Sequence, residues 1–466
     1  MTKVAVFLAL ALVLGASACT SLPPRGEILL YVDTDAPVPP GNGRAPGLTD
    51  PAPLFDTIRF DVYEPGATTP CAGCTREFDV DKQKFVEQRV SIGIPARDGV
   101  PGYRARVSLY LHDWLVPCWT LTSEQQALYA DCANTNALVP HPKATISRTL
   151  ALPPTEDGVL TDVHTFLETE VVGIPDGTLE QPASFTPGRP GPSKASSWAG
   201  GARRDCATPA RPGEACVPSG AFWSGNPRSI AFKSMFNIAS YPTPRLIVLA
   251  PFFMKTTEVT VAECLAEPAL CADPAAKRNF GSLCTINTRW SRKVPINCLD
   301  ASIRDAWCAK WGGTVASAAQ LEYVGRGLVG STFVWGNDLP SCQDAMWGRA
   351  NYNELGPCFR ATEGGGPYAT GSGLRDRLVL PTGSIVDVAG NLQEHTSDRL
   401  DSSCRCNWPA GVLHDPVCKD PSDAGSGVIG GLWSQGPTGM ALGDLGCYGV
   451  DYPSADVGFR CARPGE

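Results

Sequence analysis

The sequence predicts an α+β protein of two folded units, and three observations carry that reading. Short segments of alternating polarity fill residues 27–172, the period-2 pattern of strands with one face in water. From about residue 215 helical spacing appears in two places, among short apolar runs and frequent turns. Between them, Pro175 to Glu214 is rich in Pro, Gly, Ser and Ala and has almost no periodic apolar pattern, the composition of a linker that lets two units sit apart. At 466 residues the chain also exceeds what one compact core usually serves.

Taken in order, residues 1–19 hold Lys3, an apolar run from Val4 to Leu14 and the small-residue stretch Gly15-Ala16-Ser17-Ala18 before Cys19. That is a secretory signal, too short for a membrane span. The unit at 20–174 follows. Glu27 to Asp33 reads as a buried strand, and Pro37 to Pro53 as an irregular loop. In Thr57–Tyr63, Ile58, Phe60 and Val62 oppose Arg59 and Asp61, so one face is expected to be wet. Arg104–His112 repeats the alternation. With Val90–Ile94, Thr145–Leu150 and Val163–Val172 this gives about six strands, consistent with a β-sandwich of immunoglobulin or prealbumin type. Asp33, Asp35, Asp79 and Asp81 read as exposed strand-end carboxylates. The unit at 215–466 opens with Cys216 and a strand at Arg245–Phe253, followed by a helix capped by Thr257 or Thr260. Helical spacing recurs at Ala301–Lys310 and Ala316–Tyr323.

A net charge of −8, from 39 basic and 47 acidic residues without long runs, argues against nucleic acid or an anionic membrane face as the main partner. Nineteen cysteines are too many for a reducing cytosol, and setting Cys19 aside leaves an even eighteen. Spacing alone does not fix the pairing. Local candidates are Cys71 with Cys74, Cys118 with Cys132, Cys206 with Cys216, Cys342 with Cys358, and Cys447 with Cys461. Zinc is not indicated, because Cys71-Ala72-Gly73-Cys74 has no second such pair and the five histidines are scattered.

Cys19 after Ala16-Ser17-Ala18 resembles a bacterial lipobox, in which the cysteine is lipidated. Plain cleavage and secretion is the alternative. Thr20 in place of aspartate points such a lipoprotein to the outer membrane, anchored there by its lipid with the folded units facing periplasm or exterior. Farther along, blocks succeed one another: Phe253-Met254-Lys255-Thr256-Thr257-Glu258-Val259-Thr260, Pro295-Ile296-Asn297-Cys298, Asp305-Ala306-Trp307-Cys308, Leu321-Glu322-Tyr323, Val334-Trp335-Gly336-Asn337, Asp387-Val388-Ala389-Gly390-Asn391-Leu392-Gln393-Glu394, Gly430-Gly431-Leu432-Trp433 and Gly458-Phe459-Arg460-Cys461. This ordered set resembles the formylglycine-generating enzymes, also called sulfatase-modifying factors. The resemblance implies an elaborated C-type-lectin-like fold and, in competent members, oxidation of a substrate cysteine by O₂ with Cu(I) held by two thiolates.

In those members the thiolates follow the G-G-S-[YW] block. Laying Gly430-Gly431-Leu432-Trp433 on it puts Gln435 and Met440 in the two positions, so no catalytic residue is assigned and copper is not expected. The chain is then read as a pseudoenzyme, an envelope lipoprotein that binds a protein or peptide. The alternative is an active oxidase using Cys447 and Cys461. The resemblance also implies calcium, held by the Asp387 side chain, the Gly390 and Leu392 carbonyls and the Glu394 carboxylate, with Asn351 opening a second site. A hydrogen-bonded turn without metal is the competing reading of the same residues. Phe459 is expected in the core, Gly458 at a tight bend, and Arg460 paired with an internal carboxylate.

Overall fold

The computed structural model describes residues 26–466 apart from 42, 44–46, 48, 96–98, 229–242, 272–282, 287–290, 351–355, 361–364, 421, 423–424, 444 and 450–453. The signal segment, Cys19 and Asn351 lie outside the described residues. The chain is mixed α and β with little helix. Several sheets precede the C-terminal unit.

The N-terminal strands are β1 (Glu27–Thr34), β2 (Thr57–Tyr63), β3 (Thr75–Asp79), β4 (Ser91–Pro95), β5 (Arg104–Tyr110), β6 (Leu115–Pro117), β7 (Leu138–Pro140), β8 (Thr145–Ala151), β9 (Leu160–Leu167) and β10 (Thr186–Pro187). They form two four-stranded sheets, ordered β10-β9-β1-β4 and β3-β2-β5-β8, and a small β6-β7 pair. Ile28, Leu30 and Val32 from the first sheet share one apolar core with Phe60, Val107 and Ile146 from the second. Burying both inner faces together is what makes two half-apolar sheets stable.

The wet face expected for β2 is covered. The excursion at 115–144, closed by the Cys118–Cys132 disulfide, lies over it. Arg59 and Asp61 are buried there, the guanidinium reaching Asp61 at 3.0 Å and Asp131 at 2.7 Å. Alternation reported which residues were polar; it carried no information about a later segment that would cap them.

The stretch at 175–214 is not a free linker. Thr149 N–H donates to the Asp176 carbonyl at 2.8 Å, β10 pairs with β9, and Ala195 and Trp198 enter the N-terminal core. Asp33, expected to be exposed, is buried and accepts from the Ser193 hydroxyl at 2.8 Å and the Lys194 N–H at 3.1 Å. A Pro/Gly-rich segment has no periodicity to display, yet its backbone groups find partners along a sheet edge as well as any strand does.

The C-terminal strands are β11 (Glu214–Val217), β12 (Gly220–Ser224), β13 (Arg245–Leu249), β14 (Phe252–Lys255), β15 (Thr314–Val315), β16 (Arg377–Leu380), β17 (Gly383–Val386), β18 (Gln393–Leu400), β19 (Leu413–His414), β20 (Gly425–Ile429), β21 (Gly446–Gly449), β22 (Val457–Phe459) and β23 (Cys461–Pro464). Arg245–Phe253 is two strands, because Pro251 breaks the run before β14. Thr260, not Thr257, caps the next helix in a reciprocal box with Glu263. The longer helices are α1 (Ala301–Trp311), which ends on Gly312 at φ +96°, and α2 (Ala318–Gly325), capped by Ser317. The sheets run β11-β14-β23-β15, β12-β13-β19, β16-β17 and β21-β20-β18-β22.

All eighteen cysteines other than Cys19 are in disulfides. Four of the five local candidates form: Cys71–Cys74, Cys118–Cys132, Cys206–Cys216 and Cys342–Cys358. The fifth is overturned. Cys461 bonds Cys308 and Cys447 bonds Cys404, since β23 and β21 belong to different sheets. The others are Cys264–Cys271, Cys284–Cys298 and Cys406–Cys418. Nine disulfides indicate an extracytoplasmic protein. No helix of the described residues is long and apolar enough to cross a membrane.

Trp223 of β12 joins the two units. Its indole N–H donates to the Leu54 carbonyl at 2.7 Å, and its ring meets Phe55 and Trp114 edge-on at 5.6 and 6.3 Å. Trp223→Ala should therefore cost about 3–5 kcal/mol, as for other buried large-to-small changes. Calorimetry of this variant should show the N-terminal unit melting earlier. An unchanged thermogram would refute the shared core.

Candidate functional site

Four buried carboxylates and one arginine meet at the centre of the C-terminal unit. Glu258 follows β14, Asp376 precedes β16, Asp387 ends β17, Glu394 lies in β18, and Arg460 sits between β22 and β23. No stretch of sequence contains them all; five separate strand ends deliver them.

Each carboxylate has its own partner. Asp376 accepts from the Val388, Ala389 and Gly390 N–H groups at 2.8–3.2 Å, which holds the turn between β17 and β18. Glu258 accepts from the Leu392 N–H at 3.1 Å and from the Asn391 side-chain amide at 3.0 Å. Glu394 is gripped through both oxygens by Arg460, whose Nε and Nη2 donate at 2.6–2.8 Å. Arg460 Nη2 also donates to the Val386 and Asp387 carbonyls at 2.9 and 3.0 Å. Asp387 is held by the Gly371 N–H through Oδ2, while Oδ1 has no hydrogen-bond partner among the described residues. Asp387 and Asn391 both adopt left-handed φ, +56° and +71°, a conformation that Asp and Asn tolerate better than other side-chain-bearing residues.

Burial sets the electrostatics. It raises Glu258, Asp376 and Glu394 above the ordinary carboxylate range, against the pull of Arg460. Burial, reinforced by the Asp376 charge, pushes Asp387 up to about 7. Burial also works against the Arg460 charge, but Glu394 at contact distance outweighs it and keeps the guanidinium protonated. His395 is driven well below its ordinary value by burial, with Arg304 and Arg399 adding to the effect, so it is neutral.

Of the residues that the resemblance sets out for calcium, Glu394 has both oxygens on Arg460, and the turn that carries Asp387, Gly390 and Leu392 is held by hydrogen bonds from the Gly371, Gly390 and Leu392 N–H groups. Arg460 does pair with an internal carboxylate and Phe459 is buried, as expected. Gly458 lies in β22 opposite Glu394, not at a bend; a Cβ there would fall 2.9 Å from the Leu392 side chain. Glu258 and Asp376 were missed as site residues. Glu258 stood inside a family block, whereas nothing local marks Asp376.

Gln435 and Met440, the residues that the resemblance sets against the two thiolates, follow a segment beside this cluster. Gly430 to Trp433 is stitched to the turn, with the Gly431 N–H donating to the Ala389 carbonyl at 2.9 Å and the Trp433 N–H to the Asn391 carbonyl at 2.8 Å. Gln435 is exposed and Met440 is fully buried in the apolar core. The two side chains therefore do not share one ligand position. Nearby, the Ser434 hydroxyl donates to Asp456 at 3.2 Å.

Glu394→Gln should cost roughly 3–5 kcal/mol by taking from buried Arg460 the carboxylate that grips it through both oxygens, measured by denaturant unfolding. A loss under about 1 kcal/mol would contradict the central role of the pair. Asp387 makes a second prediction. Between about 4 and about 7 the folded chain keeps a proton that the unfolded chain releases, so this contribution is complete below pH 4 and is lost as pH rises through 7. Relative to Asp387→Asn, the wild-type Tm should fall by several degrees across that window. Parallel pH curves for the two proteins would rule it out.

No curated protein matches the chain. Among solved structures it is similar to PvdO from Pseudomonas aeruginosa, at 17% identity and a TM-score of 0.40, over 54% of this chain and 94% of that one. It is also similar to Treponema denticola variable protein 1, at 15% identity and 0.37, over 55% of this chain and 100% of that one. A third likeness is to CarF, at 15% identity and 0.30, over 47% and 87%. The sulfatase-modifying factor enzyme 1-like domain matches residues 201–464, more than half of the chain, and the chain belongs to that family.

Proposed function

We propose that this is an envelope lipoprotein, anchored through Cys19, whose C-terminal domain binds a protein or peptide and does not oxidise cysteine. The observation that carries the reading is the fate of the copper positions. Gln435 offers an amide to solvent, and Met440 turns its thioether into the core. An amide and an inaccessible thioether do not replace two thiolates for Cu(I).

The rest of the chain is consistent with a binding role. An oxidase built on Cys447 and Cys461 needs two reduced thiols, and both sulfurs are in disulfides with other partners. The exposed surface beside Gln435, with Ser434 and the half-buried Asp456, lies where the family's substrate groove would be, and it offers polar groups to a peptide backbone. The N-terminal sheets, read as a β-sandwich, serve as the spacer between anchor and binding domain. The C-type-lectin-like fold suits such a role, being a scaffold that presents loops.

The test is direct. The purified, copper-supplemented protein incubated under O₂ with a peptide carrying C-x-P-x-R should yield no aldehyde by mass spectrometry. Formation of formylglycine would end the non-oxidising reading.

A further inference from the structure

We propose that the N-terminal unit carries a binding pocket for a small organic acid, a carboxylate on an apolar body, with Arg106 as the anion anchor. A cavity of about 300 Å³ opens on the outer face of the β3-β2-β5-β8 sheet. Arg106 from β5 and Ser147 and Thr149 from β8 form its floor; Leu128 and Tyr129 make one wall and Leu179 the other. The volume matches the small end of ligand sites, and the lining has their usual form, apolar walls with a few convergent polar groups.

The floor consists of donors short of acceptors. The Arg106 guanidinium stacks over the Tyr63 ring, 5.6 Å from its centroid, and Nη1 donates to the Leu128 carbonyl. Nε reaches the Thr149 hydroxyl at 3.5 Å, at the limit of a hydrogen bond. Among the described residues no carboxylate forms an ion pair with Arg106, whereas Arg59 has Asp61 and Asp131, and Arg148 has Asp176. The Ser147 hydroxyl has Ser108 at 3.5 Å, again marginal. A guanidinium edge and two hydroxyl groups facing one cavity are matched by a carboxylate, which accepts from all of them. Glu180 also lines the cavity, but it is exposed at the rim and leaves the floor cationic.

Both walls are fixed in advance. The Cys118–Cys132 disulfide closes the segment that carries Leu128 and Tyr129. The opposite wall is tied to β8 by the Asp176 N–H donating to the Ser147 carbonyl at 3.0 Å and the Ala183 N–H to the Thr149 carbonyl at 2.8 Å. Gly177, at φ +77°, makes that approach possible; a Cβ would lie 2.6 Å from the Thr149 carbonyl oxygen. A pocket so held loses little freedom on filling.

Calorimetric titration of the full-length protein would use 3-phenylpropionate as probe, with 3-phenylpropan-1-ol and inorganic phosphate as controls. Saturable binding of the acid is expected with Kd of about 0.1–1 mM, the range for so small a ligand. The alcohol, and the acid with Arg106→Gln, should bind at least about tenfold more weakly. Because Arg106 also braces the Leu128 wall, Thr178→Trp at the exposed rim is the second variant; it should block binding while leaving Tm unchanged. Three results would each overturn the proposal: no saturation up to about 10 mM acid, equal binding of acid and alcohol or of wild type and Arg106→Gln, or inorganic phosphate competing as well as the acid.

Discussion

The two-point grip of Arg460 on Glu394 is the contact around which the C-terminal unit closes. Arg460 is the residue between the last two strands of the chain, Glu394 comes from the strand that follows the buried acidic turn, and both are removed from water. A lone guanidinium or carboxylate at that depth costs several kcal/mol; together, with Nη2 also satisfied by two carbonyls, they are tolerated. Their meeting sets β22 in parallel register against β18, with Glu394 opposite Gly458. The next residue, Cys461, then bonds Cys308 of α1, so ionic and covalent closure fall on adjacent residues.

Around that pair the backbone supplies partners for the other carboxylates. Three consecutive N–H groups converge on Asp376, and an N–H with a side-chain amide converges on Glu258. These donors are the unpaired groups of a tight turn, which would be orphaned in the interior without an acceptor. The acids are thus the turn's hydrogen-bond partners. An acidic turn reads in sequence like an ion site because both need oxygen-rich side chains. Asp387 and Asn391 look alike in the string of letters, yet one has an oxygen without a hydrogen-bond partner among the described residues and the other is bonded through both ends of its amide.

What was legible in the sequence follows the same division between local and distant causes. The strands at Thr57 and Arg104, the helices after Thr260, Asp300 and Ser317, and four short disulfides all depend on neighbours in sequence, and they are present. The burial of Arg59 depends on a segment some sixty residues later, the Cys308–Cys461 bond on residues 153 apart, and the Asp376 cradle on a turn twelve residues on. None of those has a local signal. The docked segment at 175–214 is the plainest case. Its composition describes a flexible chain, and its fixed position comes from Asp33, Glu170 and β8, which it meets only after folding.

The same separation of local and distant causes holds at Gln435 and Met440. The residues that hold the turn between β17 and β18 are Glu258, Asp376, Asn391, Glu394 and Arg460, whereas the backbone of Gln435 bonds Leu432 and Gly348. Met440 meets the same layer from the other side: Gly431, whose Cβ would lie 2.7 Å from the Met440 side chain, spaces the two loops. A buried thioether adds to the apolar core there, where a metal-binding thiol would need access to the ion. The closure of the domain therefore does not run through Gln435, and Met440 adds packing to the core. Closure by a buried ion pair and disulfides rests on residues other than Gln435 and Met440.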